Sequence, residues 1–352
     1  MKEPGRVESS RNILEDAPKG LAARFAGLGF PAYRARQVLR WVYERGVYDF
    51  DKMTDLPLEM RRKLKTLFSV SLPVVAGSQR SREDKSVKAL LKLQDGEFVE
   101  TVYIPVKGRE TVCVSSQAGC KFHCAFCASG QGGFFRNLTA GEIVSQVLAA
   151  RDFSPQKKVS HVVFMGIGEP FDNYNEVLKA VRLLNSPETL GIGARKITVS
   201  TCGIVPKIKA FAGEGLQVEL SVSLHGATDA VRGAVMPVDR AYPVGVLIKA
   251  CREYARKTNR AVTFEYILIQ GVNASERDAK KLAGLLRGML CKVNLIPYNP
   301  IEEFPHAAPS YREVVLFQKI LQGAGVQTTV RFSKGRDIQA ACGQLRSAAR
   351  HE

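Results

Sequence analysis

Hydrophobic and polar positions change their period along the chain, and each change marks a different kind of element. Over residues 1–70 the apolar positions recur at helical spacing. In PAYRARQVLRWVYERG (31–46), Val38, Leu39, Trp41 and Val42 form one apolar stripe with Arg34, Arg36, Arg40 and Arg45 around it, the pattern of an amphipathic helix. RRKLK (61–65) adds a second basic cluster. The period then falls to two: VKALLKL and FVETVYIPV flank Gln94-Asp95-Gly96-Glu97, and an Asp-Gly pair between alternating runs predicts a β-hairpin. From about 111 to 332, short β-branched runs alternate with helical periods. Strands are expected at 111–116, 160–165, 195–200, 217–224, 261–268 and 292–297. Thr139-Ala140-Gly141-Glu142 predicts a capping box that opens one of the intervening helices.

Six such βα units imply an α/β fold with a parallel sheet and right-handed crossovers. Periodicity does not separate a partly closed (βα) barrel from a doubly wound sheet, but both place catalytic groups at the C-terminal ends of the strands. The expected organisation is an N-terminal helical accessory domain (1–70), a connecting β-hairpin (71–105), an α/β core (106–335) and a C-terminal tail (336–352).

Composition narrows the class. Of 352 residues, 45% are hydrophobic and 24% charged, ordinary globular values that exclude collagenous or largely disordered chains. No apolar run approaches the roughly 18 to 20 residues that cross a bilayer, and no apolar segment follows the first charges. A soluble cytoplasmic protein without a membrane partner is expected. Against 34 acidic residues stand 51 basic ones, a formal charge of +17, which draws polyanions, nucleic acid first. A merely solvated basic surface accounts for the same excess.

The chemistry lies in the eight cysteines. In a reducing cytosol they suit metal or redox chemistry better than disulfide staples. Cys120, Cys124 and Cys127 follow the first core strand in a C-x3-C-x2-C spacing, GCKFHCAFC (119–127). Structural zinc wants four closed ligands, and no second pair appears, although His123 stands inside the loop. A 4Fe–4S cluster held by three thiolates keeps one iron open. MGIGEP (165–170) follows the second strand, where Gly168 lets backbone approach a ligand and Glu169 offers a carboxylate to an ammonium group. Ser200, Ser223-Leu224-His225 and Asn299 end later strands. Each alone is an ordinary turn or capping residue.

With its cysteine loop and Phe126 before the third cysteine, the chain resembles the radical S-adenosylmethionine (SAM) superfamily. What that implies is a partial (βα)6 barrel whose open iron chelates SAM and whose reduction yields a 5′-deoxyadenosyl radical. YRARQVLRWVYERG (33–46), DFDKMTDLP (49–57), VETVYIP (99–105), VCVSSQAGCKFHCAFC (112–127), FMGIGEP (164–170), VSLHG (222–226) and RDIQAACGQL (336–345) are similar to the adenine-carbon-2 RNA methyltransferases of the RlmN type. One position departs: Ile167 stands where methionine is common. Carried over, Cys120, Cys124 and Cys127 hold the cluster, and Gly168, Glu169, Ser200, Ser223, Leu224, His225 and Asn299 contact SAM. Cys342 becomes the methyl carrier, Cys113 its resolving partner through a disulfide, and Glu100 a proton acceptor. The resemblance implies 23S rRNA and tRNA as substrates, an electron donor such as flavodoxin, and a monomer.

Those thiols have a chemical reason. Carbon 2 of adenine lies between two ring nitrogens and is electron-poor, so it does not attack the methyl group of SAM; a carbon radical must attack it instead. One SAM would methylate Cys342, a second would generate the radical, and a second thiol would release the tethered RNA. Cys251 and Cys291 read as core residues, and Cys202 lies beside the Ser200 loop. The carbon-8 methyltransferase branch shares both mechanistic cysteines, and a non-catalytic RNA-binding protein with a structural cluster is the alternative of another class.

Overall fold

The computed structural model describes residues 10–346, so the first nine residues of the accessory domain and residues 347–352 of the tail lie outside the described residues. At the start, β1 (Arg11–Asn12) precedes α1 (Pro18–Gly27), α2 (Tyr33–Leu39) and α3 (Leu58–Leu67), and β2 (Phe68–Ser69) returns to pair with β1 in parallel. Helix α2 continues as a π-helical turn over Arg40–Glu44. That wider turn shifts the facing of the residues after Leu39. Val38, Leu39 and Val42 are buried as the stripe predicts, whereas Trp41 is only partly covered. Its indole N–H donates to Asp55 at 2.6 Å, and the Arg45 guanidinium lies 4.0 Å over its ring. The basic cluster is partly spent internally: Arg61 donates to the Asp51 carbonyl, Lys65 pairs with the Asp51 carboxylate, and Lys63 reaches the Leu28 carbonyl.

Strands β3 (Val74–Arg80), β4 (Val87–Lys92), β5 (Phe98–Val106) and β6 (Arg109–Cys113) form an antiparallel meander. The predicted hairpin is the β4–β5 pair, turned at Asp95-Gly96. β3 was not anticipated, because its side chains are exposed on both faces and carry no burial pattern. Next, β7 (Gln117–Gly119) and β8 (Phe134–Asn137) pair antiparallel and bracket the cysteine loop. From β6 onward the main sheet is parallel, through β9 (His161–Phe164), β10 (Ile197–Thr201), β11 (Glu219–Ser223), β12 (Val262–Leu268), β13 (Cys291–Pro297) and β14 (Gln327–Val330). The ten-stranded order β14-β13-β12-β11-β10-β9-β6-β5-β4-β3 leaves two edges, so the barrel is not closed. Six of the parallel strands match the expected ones, and β14 extends the sheet by one.

Helices α4 (Ala140–Ala150), α5 (Tyr174–Asn185), α6 (Val205–Phe211), α7 (Asp229–Val235), α8 (Val244–Thr258), α9 (Glu276–Leu286) and α10 (Tyr311–Gly323) fall between these strands. The Thr139–Glu142 capping box opens α4 as predicted. Every residue of α4 but Glu142 is buried, because the helical N-terminal region packs over it. Arg151 just beyond donates to the Tyr43 carbonyl at 2.6 Å and to the Tyr48 hydroxyl at 3.1 Å. One apolar core runs from Ile13 and Leu14 through the barrel to Leu321. Among the described residues no helix is long and apolar enough to cross a membrane.

Candidate active site

The chain leaves β7 at Gly119, and the Cys120 N–H donates to the Gly133 carbonyl at 2.8 Å, tying the two ends of the cysteine loop together. Within the loop, Cys120, Cys124 and Cys127 all line one cavity of about 150 Å³ over the C-terminal ends of the strands. Burial pushes the Cys120 thiol up to about 12 and raises Cys127 and, further, Cys124. Their mutual proximity adds to the rise at Cys120 and Cys124, while N–H groups of Phe122, Ser129 and Gly130 favour the thiolates of Cys120 and Cys127. His123 serves as a brace, its Nδ1 paired with the Gly130 carbonyl at 2.9 Å.

Among the described residues, no three His, Cys, Asp or Glu side chains are grouped so as to grasp one metal ion. Three thiols spread around a cavity, with no fourth protein ligand, fit a multinuclear iron–sulfur cluster with one open position.

Beyond β9, Gly168 takes a φ of +98°, a conformation for glycine, and an added Cβ would stand 2.5 Å from Gln117 Cβ. The same glutamine accepts from the Glu169 N–H and donates to Asn137 and Asp172, each at 2.8 Å. Glu169 is buried, its two oxygens accepting from the N–H groups of Phe171 (2.8 Å) and Cys202 (2.6 Å). Burial raises its carboxyl against those bonds. Ser200, Ser223 and His225 line the cavity with Gly168 and Glu169. His225 sits edge-on to Phe126 with ring centroids 4.7 Å apart, and its Nδ1 accepts from the Ile267 N–H at 3.1 Å. Burial lowers its pKa to about 3, so the ring is neutral.

Two of the expected SAM contacts stand apart. Leu224 points into the main core, and Asn299 donates to Ser333 at 2.8 Å and to the Cys342 carbonyl at 3.4 Å. Neither lines the cavity.

Cys342 lines this cavity and a larger one of about 930 Å³ that reaches toward the N-terminal ends of the strands and is also lined by Cys113, at the C-terminal end of β6. Cys342 is exposed, and its protein surroundings raise its pKa. Cys113 is buried and pushed to about 12, chiefly by burial and next by the Cys342 thiolate. The disulfide implied for this pair is not a standing part of the fold, since all eight cysteines are free thiols. Glu100 lines neither cavity: its oxygens meet Lys88 Nζ at 3.1 Å and the Arg346 N–H at 2.9 Å. Burial raises its carboxyl.

Four polar residues of the site escape a sequence reading. Gln117 supports Glu169; Asn273, buried, bonds the backbone of His225, Ile267 and Ile269 at 2.7–2.8 Å. Arg232, fully buried, donates to Asp239 (2.9 Å), the Tyr242 carbonyl (3.3 Å) and the Cys202 carbonyl (2.6 Å). Glu265 projects from the middle of β12 and lines both cavities. Only a charged or amide group inside an otherwise apolar run could have signalled them.

An open parallel barrel carrying a three-thiol loop beside a glycine–glutamate turn defines a radical SAM enzyme. A profile described as the Radical SAM superfamily matches residues 114–283, and one described as the ribosomal RNA large subunit methyltransferase N-terminal domain matches 11–70. A protein of Thermoanaerobacter sp. (strain X514), named "Probable dual-specificity RNA methyltransferase RlmN", is 48% identical over 322 residues, covering 92% of this chain and 94% of that protein. A Staphylococcus aureus (strain JH9) protein of the same name is 45% identical over 92% of this chain and 89% of its own length. The crystal structure of a radical SAM methyltransferase from Sphaerobacter thermophilus superposes with a TM-score of 0.92 at 45% identity, covering 95% of this chain and 99% of that one. The chain belongs to the RlmN family of radical SAM RNA methyltransferases, and that membership implies a 4Fe–4S cluster and SAM as its cofactors.

Proposed function

We propose that the enzyme methylates carbon 2 of adenine in 23S rRNA and in tRNA, using two SAM molecules and Cys342 as methyl carrier. The single observation that carries this reading is that Cys342 and Cys113 line one cavity, and that Cys342 also lines the cysteine-loop cavity. Cys120, Cys124 and Cys127 would hold the cluster, which when bound supplies the electron that cleaves SAM and takes one back at the end. Gly168, Glu169, Ser200, Ser223 and His225 would bind SAM, with Glu169 facing its ammonium group. Leu224 would act through its backbone and Asn299 by holding the carrier segment.

The Cys342 thiolate would attack the methyl carbon of the first SAM, forming S-methylcysteine and expelling S-adenosylhomocysteine. The deoxyadenosyl fragment of the second SAM would take one hydrogen atom from that S-methyl group, becoming 5′-deoxyadenosine and leaving a methylene radical that bonds to C2. Glu100 would take up the C2 proton, and attack of Cys113 on the Cys342 sulfur would break its bond to the new carbon, which gains a proton to become the methyl group of the released base, and leave a transient disulfide for cellular reductants. A soluble donor such as flavodoxin and a cytoplasmic monomer complete the reading. The test is anaerobic turnover of Cys113→Ala with labelled RNA. A protein–RNA adduct sensitive to nuclease and protease is expected, absent from Cys342→Ala, and the wild-type product digests to 2-methyladenosine. A product of 8-methyladenosine, or normal turnover by Cys113→Ala, overturns it.

A further inference from the structure

Glu265 is a carboxylate that the proposed reaction leaves unused, at the junction of the two cavities that both contain Cys342. It is 4% exposed. Its polar partners gather on one oxygen: Oε1 accepts from Ser221 Oγ at 3.1 Å and Asn294 Nδ2 at 3.0 Å, and Arg331 Nη1 lies 3.8 Å away. The other oxygen, Oε2, is buried without a partner. Leaving a buried acceptor of this kind unmade is costly, the more so for a charged group. Such groups persist where a ligand completes them.

The surroundings say what kind of ligand. Cationic Arg109, Arg195, Lys196, Lys292 and Lys334 line the larger cavity, which suits a polyanion, and the adjacent carboxylate calls for an N–H donor. We propose that Glu265 reads the substrate base by accepting a hydrogen bond from its exocyclic amine through Oε2, and so sets which ring carbon faces Cys342. This rests on the reading that the substrate is an adenine in RNA. In adenine the amine-bearing carbon 6 and carbon 2 flank the same ring nitrogen, so gripping the amine presents that edge. Carbon 8 belongs to the other ring. Guanine would offer a carbonyl oxygen at the same place, an acceptor against an acceptor. The terminal torsion of a glutamate is soft, so a small rotation delivers Oε2 to the base while Oε1 keeps its partners.

The experiment compares two RNA hairpins, one with adenosine and one with purine riboside, which lacks the amine, at the target position. Both are bound to the holoenzyme without reductant, so that no turnover occurs. The wild type is expected to favour adenosine by about 10- to 100-fold, the range for a hydrogen bond to a charged group. Glu265→Ala should abolish the preference, and Glu265→Gln, which keeps the packing and can still present an oxygen, should retain part of it. Affinity for SAM should be unchanged in both variants. Retained discrimination in a folded Glu265→Ala overturns the proposal, and so does a loss of SAM affinity with discrimination intact, which would give Oε2 to SAM. If wild-type enzyme discriminates in binding but digestion of its product yields no methyladenosine, the failure lies in the proposed reaction instead.

Discussion

Replacing Gly168 with alanine tests whether the glycine–glutamate turn is held in a geometry that only glycine permits. At a φ of +98° an L-residue is strained, by about 1–2 kcal/mol. The new Cβ would lie 2.5 Å from Gln117 Cβ and 2.9 Å from Gln117 N, so Gln117 must move by backbone rather than by a side-chain swing. That motion strains the bond it accepts from the Glu169 N–H and the two it donates to Asn137 and Asp172. Losing two of the three adds about 2 kcal/mol. Together about 3 kcal/mol falls on the loop that presents Glu169, equivalent to roughly a hundredfold in kcat/KM for SAM cleavage.

The assay is 5′-deoxyadenosine release by anaerobically reconstituted enzyme with a chemical reductant and no RNA, alongside iron content and circular dichroism. Iron should be retained, because the thiol loop does not include this position. Ile167→Met, a near volume-conserving change at a buried site, should cost less than about 1.5 kcal/mol. Cleavage by a folded, iron-loaded Gly168→Ala within about threefold of wild type would refute the reasoning.

Arg232→Ala should lower stability by about 3–5 kcal/mol, because it strands the buried Asp239 carboxylate. Urea unfolding would show this as a shifted midpoint, and a shift worth less than about 1 kcal/mol would count against a structural ion pair. Methylation of Cys342, read as mass added to the intact protein in a single turnover, should accelerate with pH. Surrounding protein raises the thiol pKa and Arg331 lowers it, so thiolate is scarce near neutrality and gains about tenfold per pH unit below that pKa. Arg331→Gln should move the rise to higher pH; a flat profile, or a shift the other way, contradicts the assignment.

Much of the barrel was legible because its strands are short apolar runs set between amphipathic helices, and the cysteine loop was legible because metal chemistry constrains spacing. The rest depended on contacts the local pattern does not carry. β14 is only four residues long with two buried or half-buried positions, too weak a signal to separate from loop. β12 is buried on nearly every residue, so its alternation is erased and the inward facing of Thr263, Glu265 and Ile267 cannot be read from sequence. Asn299 was expected at SAM by resemblance, yet its amide grips the tail, a contact 43 residues away. The π-turn after α2 likewise shifted Trp41 off the predicted stripe, since a single inserted residue in a helix leaves no compositional mark.

The segment bearing Cys342 is fastened at both of its ends to parts of the chain made long before it. Gly335 bonds Asp84, Asp337 bonds the Arg82 N–H, the Gln339 carbonyl bonds Lys88, and the Arg346 N–H bonds Glu100, across separations of 246 to 255 residues. Closing so long a loop carries an entropic cost that grows only slowly with length, but no such contact can form until the intervening barrel has been synthesised and has brought β4 and β5 into place. During vectorial synthesis the thiol loop and the glycine–glutamate turn are therefore assembled first, while Cys342, the proposed carrier, arrives last. With Cys342 in the carrier role proposed above, a partly made chain acquires its barrel before it is able to accept a methyl group, so the order of translation itself keeps the reactive centre incomplete until the scaffold around it exists.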